Sequence, residues 1–363
     1  VGTAHLWVTF DVADDAAEGN DISIRLTSLG GMPVESEAAS REVLLKRVLV
    51  MAPGDYGSSY YRIPGIITAE DGSLVAVTDA RKNNQGDLPG DIDVTVRRST
   101  DGGATWSEPV IIAKGTGYKQ GYGDAAIVRT NEKNGLLCIF AGANGLWDST
   151  PYDPIRTYYS KSNDNGVTWS EPVDITDQIY GAGCDDPTRA SWRASFCASG
   201  RGLLTSDGRI MFVAAIRHYS YNQTLYNHVV YSDDNGATWH VSESAMTGGD
   251  ESKVVELNDG TILMSIRRQG GGARYFNTSN DGGETWNTYS EWPELVEQGC
   301  NGDIVRYTST LDGYDKDRIL HTIVNDRSTR QNVTMFLSYD EGTTWPVKKS
   351  ICKTGSAYSS ITI

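Results

Sequence analysis

The chain has 363 residues, 47 acidic and 32 basic side chains and a formal net charge of −15. That length supports a sizeable core, either one large all-β domain or two average domains. The acidic balance argues against nucleic acid as a partner. No apolar run approaches the roughly 18–20 residues of a membrane helix, so no membrane span is expected.

In chain order, the sequence opens VGTAHLWV, with no initiator Met and no basic-then-apolar leader, which reads as a removed signal or an excised piece. Residues 1–45 contain AHLWVTFDVADDAAEGNDISIRLTSL, two strand-like runs around an acidic loop. This is a short N-terminal β segment, read as the tail of an accessory module or as a strand pair on the next domain. The stretch GMPVESEAASREV at 31–43 could hold one helical turn, and VLLKRVLV at 43–50 could be the first strand of a second domain spanning 46–363. At 58–65 comes SSYYRIPG, with Arg62 ahead of GIITAEDGSLVAVTDA, two apolar strands around an Asp-Gly turn. Taken alone, Arg62 reads as a solvated residue at a sheet rim.

Five cysteines follow: Cys138, Cys184, Cys197, Cys300 and Cys352. Cys138, inside LLCIF, reads as a buried thiol. Cys184 and Cys197 bracket a polar loop and could form a disulfide. None has zinc spacing, so neither a metal nor a cofactor is expected.

One pattern, S-x-D-x-G-x-T-W, occurs five times. It reads STDGGATW at 99–106, SNDNGVTW at 162–169, SDDNGATW at 232–239, SNDGGETW at 279–286 and SYDEGTTW at 338–345. Its physics is a turn: Asp accepts from local amides, Gly allows positive φ, and Trp packs back on the hairpin. Each octet follows a strand-like run such as DVTVRR or HVVY. Repeats of roughly 50 residues, each a small antiparallel sheet, predict propeller blades. Residues 46–363 would hold about six, giving an all-β, six-bladed β-propeller whose last blade could be incomplete. The octet residues are structural, so the chemistry belongs to loops at the other end of the strands.

With YRIP ahead of the first octet, the octets resemble the Asp boxes of bacterial exo-sialidases, the neuraminidases of the glycoside hydrolase class. The likeness runs from Val50 to the end. It implies an arginine triad that clamps the carboxylate of sialic acid: Arg62 from YRIP, Arg267 in DGTILMSIRR and Arg330 in DRSTRQNVTMFLS. It implies Asp87 in NNQGDLPGDIDV as acid/base, Glu251 in GDESKVVEL as base, and Tyr358 in GSAYSSITI as nucleophile. Arg81 in TDAR and Asp124 in GYGDAAIV resemble residues lining the pocket near the sugar 4-hydroxyl. Asp93 and Asp91 compete with Asp87, Arg268 with Arg267, and Arg327 with Arg330, while Arg81 and Asp124 could instead form a structural ion pair.

The residue types suit that chemistry. Arg stays charged and its planar fork can hold a carboxylate bidentately. A tyrosine avoids setting a second negative charge against the substrate's own carboxylate, but with a pKa near 10 it needs an adjacent base. Asp87 would then need its proton affinity raised, by partial burial once substrate covers its loop. The expected partners are sialylated glycans, outside the cell or on its surface: secreted, periplasmic or cell-surface. Two alternatives remain open: a trans-sialidase, with Trp147 or Trp192 as aromatic platform, and a non-catalytic sialoglycan-binding propeller. An octet propeller acting on neutral polysaccharide would need a carboxylate pair and no clamp.

Overall fold

The computed structural model describes Val12, residues 18–43, Leu45 and residues 47–363. Two compact units divide the chain, Val1–Leu49 and Val50–Ile363. In the first, Asp21–Ile24 pairs with Ala39–Glu42, and Ser28–Leu29 pairs with Met32–Pro33. The helical turn expected within 31–43 is absent there. Gly30 and Gly31, at φ 59° and 82°, make the two-residue turn of a tight hairpin that places Met32 opposite Leu29. The first strand-like run of this segment lies outside the described residues. Residues 47–50 carry no strand.

The second unit is a β-propeller of five sheets, antiparallel except for one short parallel pair in the second. The first sheet is Tyr60–Thr68, Leu74–Arg81, Ile92–Ser99 and Val110–Ala113; the second is Tyr122–Arg129, Leu136–Ala143, Ile155–Ser162 and Val173–Asp174. The third is built on Ala194–Cys197, Ile210–Arg217, Tyr226–Ser232 and His240–Val241. Gly249–Glu256 opens the fourth sheet and Ser290–Glu297 closes it, while the fifth runs from Asp303–Thr308 to Val347–Gly355. First strands of neighbouring sheets contact one another, as Tyr60–Thr68 does Tyr122–Arg129 and Gly249–Glu256 does Asp303–Thr308.

The described residues therefore form five blades where the sequence suggested six. Dividing the length by a blade of about 50 residues overcounts, because long loops such as residues 175–193 extend the repeats. The octets count correctly: each joins the third strand of a sheet to the fourth. After Gly355 the chain runs extended rather than starting another sheet. It passes between the first strands of the first and fifth sheets. Thr68 N donates to Thr362 Oγ1 at 2.7 Å, while Ser360 Oγ and Ile361 N donate to Asp303 Oδ2 at 3.0 and 2.8 Å.

Apolar layers fill the space between successive sheets. Val75, Val77, Val94 and Ile127 pack between the first two; Leu263, Ile304, Ile319 and Phe336 pack between the last two. All five cysteines are free thiols, so the Cys184–Cys197 bond does not form. Cys197 instead sits in a strand facing the core, and burial pushes its thiol up to about 12. Cys138 is buried, as expected.

In the last octet Asp340 Oδ1 accepts from Ser338 Oγ at 2.8 Å and Thr344 N at 2.9 Å, and Oδ2 accepts from Thr344 Oγ1 at 2.6 Å. Ser338 Oγ in turn accepts from Gly342 N at 2.9 Å. The first octet repeats the pattern around Asp101. The Asp→Ala change at 340 removes three acceptor contacts at once. It should cost about 1–3 kcal/mol of folding free energy, read as a lower urea midpoint at unchanged slope. An unshifted midpoint would mean the octet is dispensable.

Candidate active site

Three sheets break register at the same end of the propeller. In the first, pairing shifts between Arg62 and Gly65, and Ile63 sits at φ 62°, an unusual conformation for a β-branched residue. In the second, pairing shifts between Ile139 and Ala141, opposite Asp124 at φ 56°. In the fourth, it shifts between Gly249 and Ser252. Such bulges suspend the strict alternation of strand side chains and re-aim them. Here they turn Arg62, Asp124, Asp250 and Glu251 toward one cavity of about 500 Å³.

Arg62, Arg267, Arg330, Asp87, Asp124, Glu251 and Tyr358 all line that cavity. Arg268 does not: its guanidinium lies over the Tyr275 ring at 5.3 Å. Arg327 is likewise outside the lining. Asp91 and Asp93 both pair with Lys82, at 3.0 and 2.9 Å, and Asp93 also accepts from Gly115 N at 2.7 Å. They brace the loop that carries Asp87. Arg81 lies below the lining, 1% exposed, with Nη1 on Asp87 Oδ1 at 2.7 Å and Nη2 on Asp79 Oδ2 at 3.0 Å. It forms no direct pair with Asp124. Asp79 stands between them, its Oδ1 accepting from Asp124 N at 3.0 Å.

The cationic side is built from two strands, which carry Arg62 and Arg267, and the bend before a third, which carries Arg330. Arg62 Nη1 donates to Gln85 O at 2.9 Å and lies 3.4 Å from Asp87 Oδ1. Arg267 Nη1 donates to Glu251 Oε2 and sits 3.4 Å from Tyr358 Oη; Nη2 sits 3.5 Å from Asp250 Oδ2. Arg330 Nη2 donates to Gly299 O at 2.9 Å, and its guanidinium lies 5.7 Å from the Tyr358 ring centre. Burial disfavours the charge on Arg267, but the Glu251 and Asp250 carboxylates outweigh it and hold the group firmly protonated. Burial pushes the Tyr358 phenol above its ordinary range, and the Glu251 charge pushes the same way. Tyr358 is thus a neutral phenol whose ionisation needs a base at hand, and Glu251 is the carboxylate beside it.

Two acids went unnoticed in the sequence. Asp250 lines the cavity beside Glu251, although strand alternation would put neighbours on opposite faces; only the bulge explains it. Asp79 was within reach of sequence reasoning, because it shares a strand face with Arg81 two residues on. Trp192 is a core residue stacked on His218 at 4.4 Å and 13°, whereas Trp147 lines the cavity and is half exposed. Among the described residues no group of three or more His, Cys, Asp or Glu could hold a metal ion.

Burial pushes Asp79 up to about 7 despite Arg81, and raises Asp124 well above the carboxylate range, with the Asp79 charge adding to it. A carboxyl raised in the folded state binds its proton more tightly there than in the unfolded chain. Its contribution is therefore favourable at low pH and is lost as pH rises from about 4 to 7. The octet carboxylates shift the other way, with Asp101 and Asp234 lowered to about 2, and that gain is complete by pH 5. Between pH 5 and 8 the urea midpoint should accordingly fall, and Asp79→Asn should flatten the fall. A midpoint that rises across this range would contradict the assignment.

Residues 72–363 match the family model of the BNR repeat-like domain. The Bacteroides fragilis sialidase is 29% identical over 93% of this chain and 62% of its own length. A Clostridium perfringens sialidase is 31% identical over 70% of this chain and 69% of its own length. The solved structure of a Hadza microbial sialidase superposes with a TM-score of 0.78 at 29% identity, over 90% of this chain and 67% of that one. The chain thus spans somewhat less than two thirds of the Bacteroides fragilis relative. With the repeat domain matched over most of the chain, and with sialidases matched in both sequence and fold, this chain belongs to the sialidase family.

Proposed function

We propose that this chain is a retaining exo-α-sialidase that releases terminal sialic acid from glycoconjugates through a tyrosyl-enzyme intermediate. The observation that carries this reading is the convergence of Arg62, Arg267 and Arg330 on a cavity that also holds Tyr358 against Glu251. The planar forks of the three arginines can hold a carboxylate bidentately, so the site suits an anionic ligand although the whole chain is acidic. This opposes neutral polysaccharide. A pure binding module would have no use for a phenol with a buried carboxylate beside it.

The steps follow from the positions. The substrate carboxylate takes the arginine forks, and Arg62 gives up part of its contact with Asp87. The Tyr358 oxygen attacks the anomeric carbon as its proton passes to Glu251. Asp87, at the exposed edge of the cavity, protonates the departing glycosidic oxygen. In the second half Asp87 takes a proton from the incoming water, the water oxygen bonds to the anomeric carbon, and the phenolate leaves and recovers its proton from Glu251. Two inversions leave the α configuration intact. Sialylated glycans as substrate would place the protein in the periplasm, on the cell surface or outside the cell.

The test is proton NMR of a turnover mixture of an α-sialoside with this protein. The α anomer of free sialic acid should appear first and then mutarotate. A β-first product would overturn retention. An anhydro product or a transferred sialic acid would favour the trans-sialidase reading, for which Trp147 at the cavity edge is the available platform.

A further inference from the structure

Glu251 is 2% exposed, and Arg267 occupies only its Oε2. Its other oxygen meets a second line of contacts from inside the propeller. Ser199 Oγ donates to Glu251 Oε1 at 3.4 Å. Asn301 Nδ2 donates to Ser199 Oγ at 3.1 Å and to Ser199 O at 2.8 Å. Asn301 Oδ1 accepts from Lys253 Nζ at 3.0 Å. Ser199, Asn301 and Lys253 are 0%, 1% and 3% exposed.

The direction of this line is set by chemistry. An ammonium can only donate, so the Asn301 oxygen must face Lys253 and its amide nitrogen must face Ser199. The Ser199 oxygen receives that hydrogen, which leaves its own hydrogen for the carboxylate. Every link therefore points at Glu251. The fold builds Ser199 into place with an excursion of the chain. After Cys197 it leaves the third sheet, and Gly200–Arg201 pairs in parallel with Ala126–Ile127 of the second sheet before Leu203–Leu204 returns. Nothing in the local sequence demands that detour, and it sets the hydroxyl against a residue of the fourth sheet.

We propose that Lys253, Asn301 and Ser199 form a one-way hydrogen-bond relay that positions the Glu251 carboxylate under Tyr358, with Ser199 and Asn301 as positioning residues for the proton transfer. The proposal rests on the functional reading above. Burial lowers Lys253 to about 8, so the ammonium persists through the acidic and neutral range. Lys253 also faces Asp303, Arg274 and Arg201; Glu251 also faces Asp250, Asp124 and Tyr358. Asp303 anchors Ser360 and Ile361, so the same buried cluster that steadies the carboxylate holds the segment carrying the phenol.

The test compares wild type, Ser199→Ala and Asn301→Asp in hydrolysis of a fluorogenic α-sialoside across pH 4–8. Asn301→Asp keeps the shape but has no amide hydrogen, and its carboxylate draws the Ser199 hydrogen away from Glu251. Both variants should lose about tenfold in kcat with KM within about twofold, the size of one charge-assisted hydrogen bond. The acidic limb of kcat/KM should move to higher pH in both, because the ionised carboxylate has lost a donor. A merely space-filling role predicts that the isosteric Asn301→Asp behaves as wild type. If it fails to fold, Ser199→Ala decides. An active wild type with variants unchanged in kcat and pH profile, or changed in KM alone, overturns the relay and leaves the functional reading standing. A wild type that hydrolyses no α-sialoside overturns both.

Discussion

Tyr358→Phe is expected to lower kcat by at least about 10³-fold while leaving the affinity for free sialic acid within a few-fold of wild type. The substitution removes one oxygen and keeps the ring that Arg330 covers. The phenol oxygen lies 3.4 Å from Arg267 Nη1, at the outer limit of a hydrogen bond, so the clamp loses little when it goes. The chemistry loses its nucleophile. A slow residual rate should remain, because the guanidiniums and Asp87 would still bind the substrate and protonate the leaving group. Release of fluorophore from an α-ketosidic sialic acid conjugate measures the first quantity and calorimetric titration of sialic acid the second. A variant within about tenfold of wild type in kcat would remove the tyrosyl intermediate from the mechanism. A variant that no longer binds sialic acid would show the hydroxyl to be part of the ligand site instead.

What the sequence could and could not convey divides along a physical line. The octets encode their own turn, since Ser338, Asp340, Gly342 and Thr344 satisfy one another locally. Five octets therefore locate five sheets without any tertiary information, and the error of a sixth came from length rather than pattern. The site arginines were legible because each borders a strand-like run, Arg62 and Arg330 at the start and Arg267 at the end, and the order of motifs along the chain tied them to a family. The choice between Arg267 and Arg268 needed the sheet: one faces the cavity and the other the Tyr275 ring. Asp250 and Ser199 were not legible, because the bulge is decided by pairing between strands and the excursion at Gly200–Arg201 by pairing with another sheet. Asp93, weighed against Asp87 on sequence, is separated from it by the partner it takes, Lys82.

Arg267→Ala is expected to damage stability and activity together, and the two losses can be separated. Arg267 is mostly buried, and its Nη1 bonds to a carboxylate only 2% exposed. Removing one partner of a buried pair leaves an uncompensated charge, at a cost of about 3–5 kcal/mol. That is a large share of the roughly 5–15 kcal/mol that holds a typical domain together. Ser199 also donates to the Glu251 carboxylate, at 3.4 Å, but a hydroxyl cannot replace a guanidinium. The double variant Arg267→Ala/Glu251→Ala should therefore be more stable than Arg267→Ala alone, although both are inactive. Urea midpoints of the two single variants and the double close the cycle. Activity is read separately from Arg267→Lys, which keeps the charge and loses the fork. Its kcat/KM should fall by about 10²-fold, one to two charge-assisted hydrogen bonds, with a melting midpoint above that of the alanine variant. A double variant no more stable than Arg267→Ala would mean that Glu251 is content without its partner. The pair would then serve the clamp alone, and Glu251 would not be the charged base that the phenol requires.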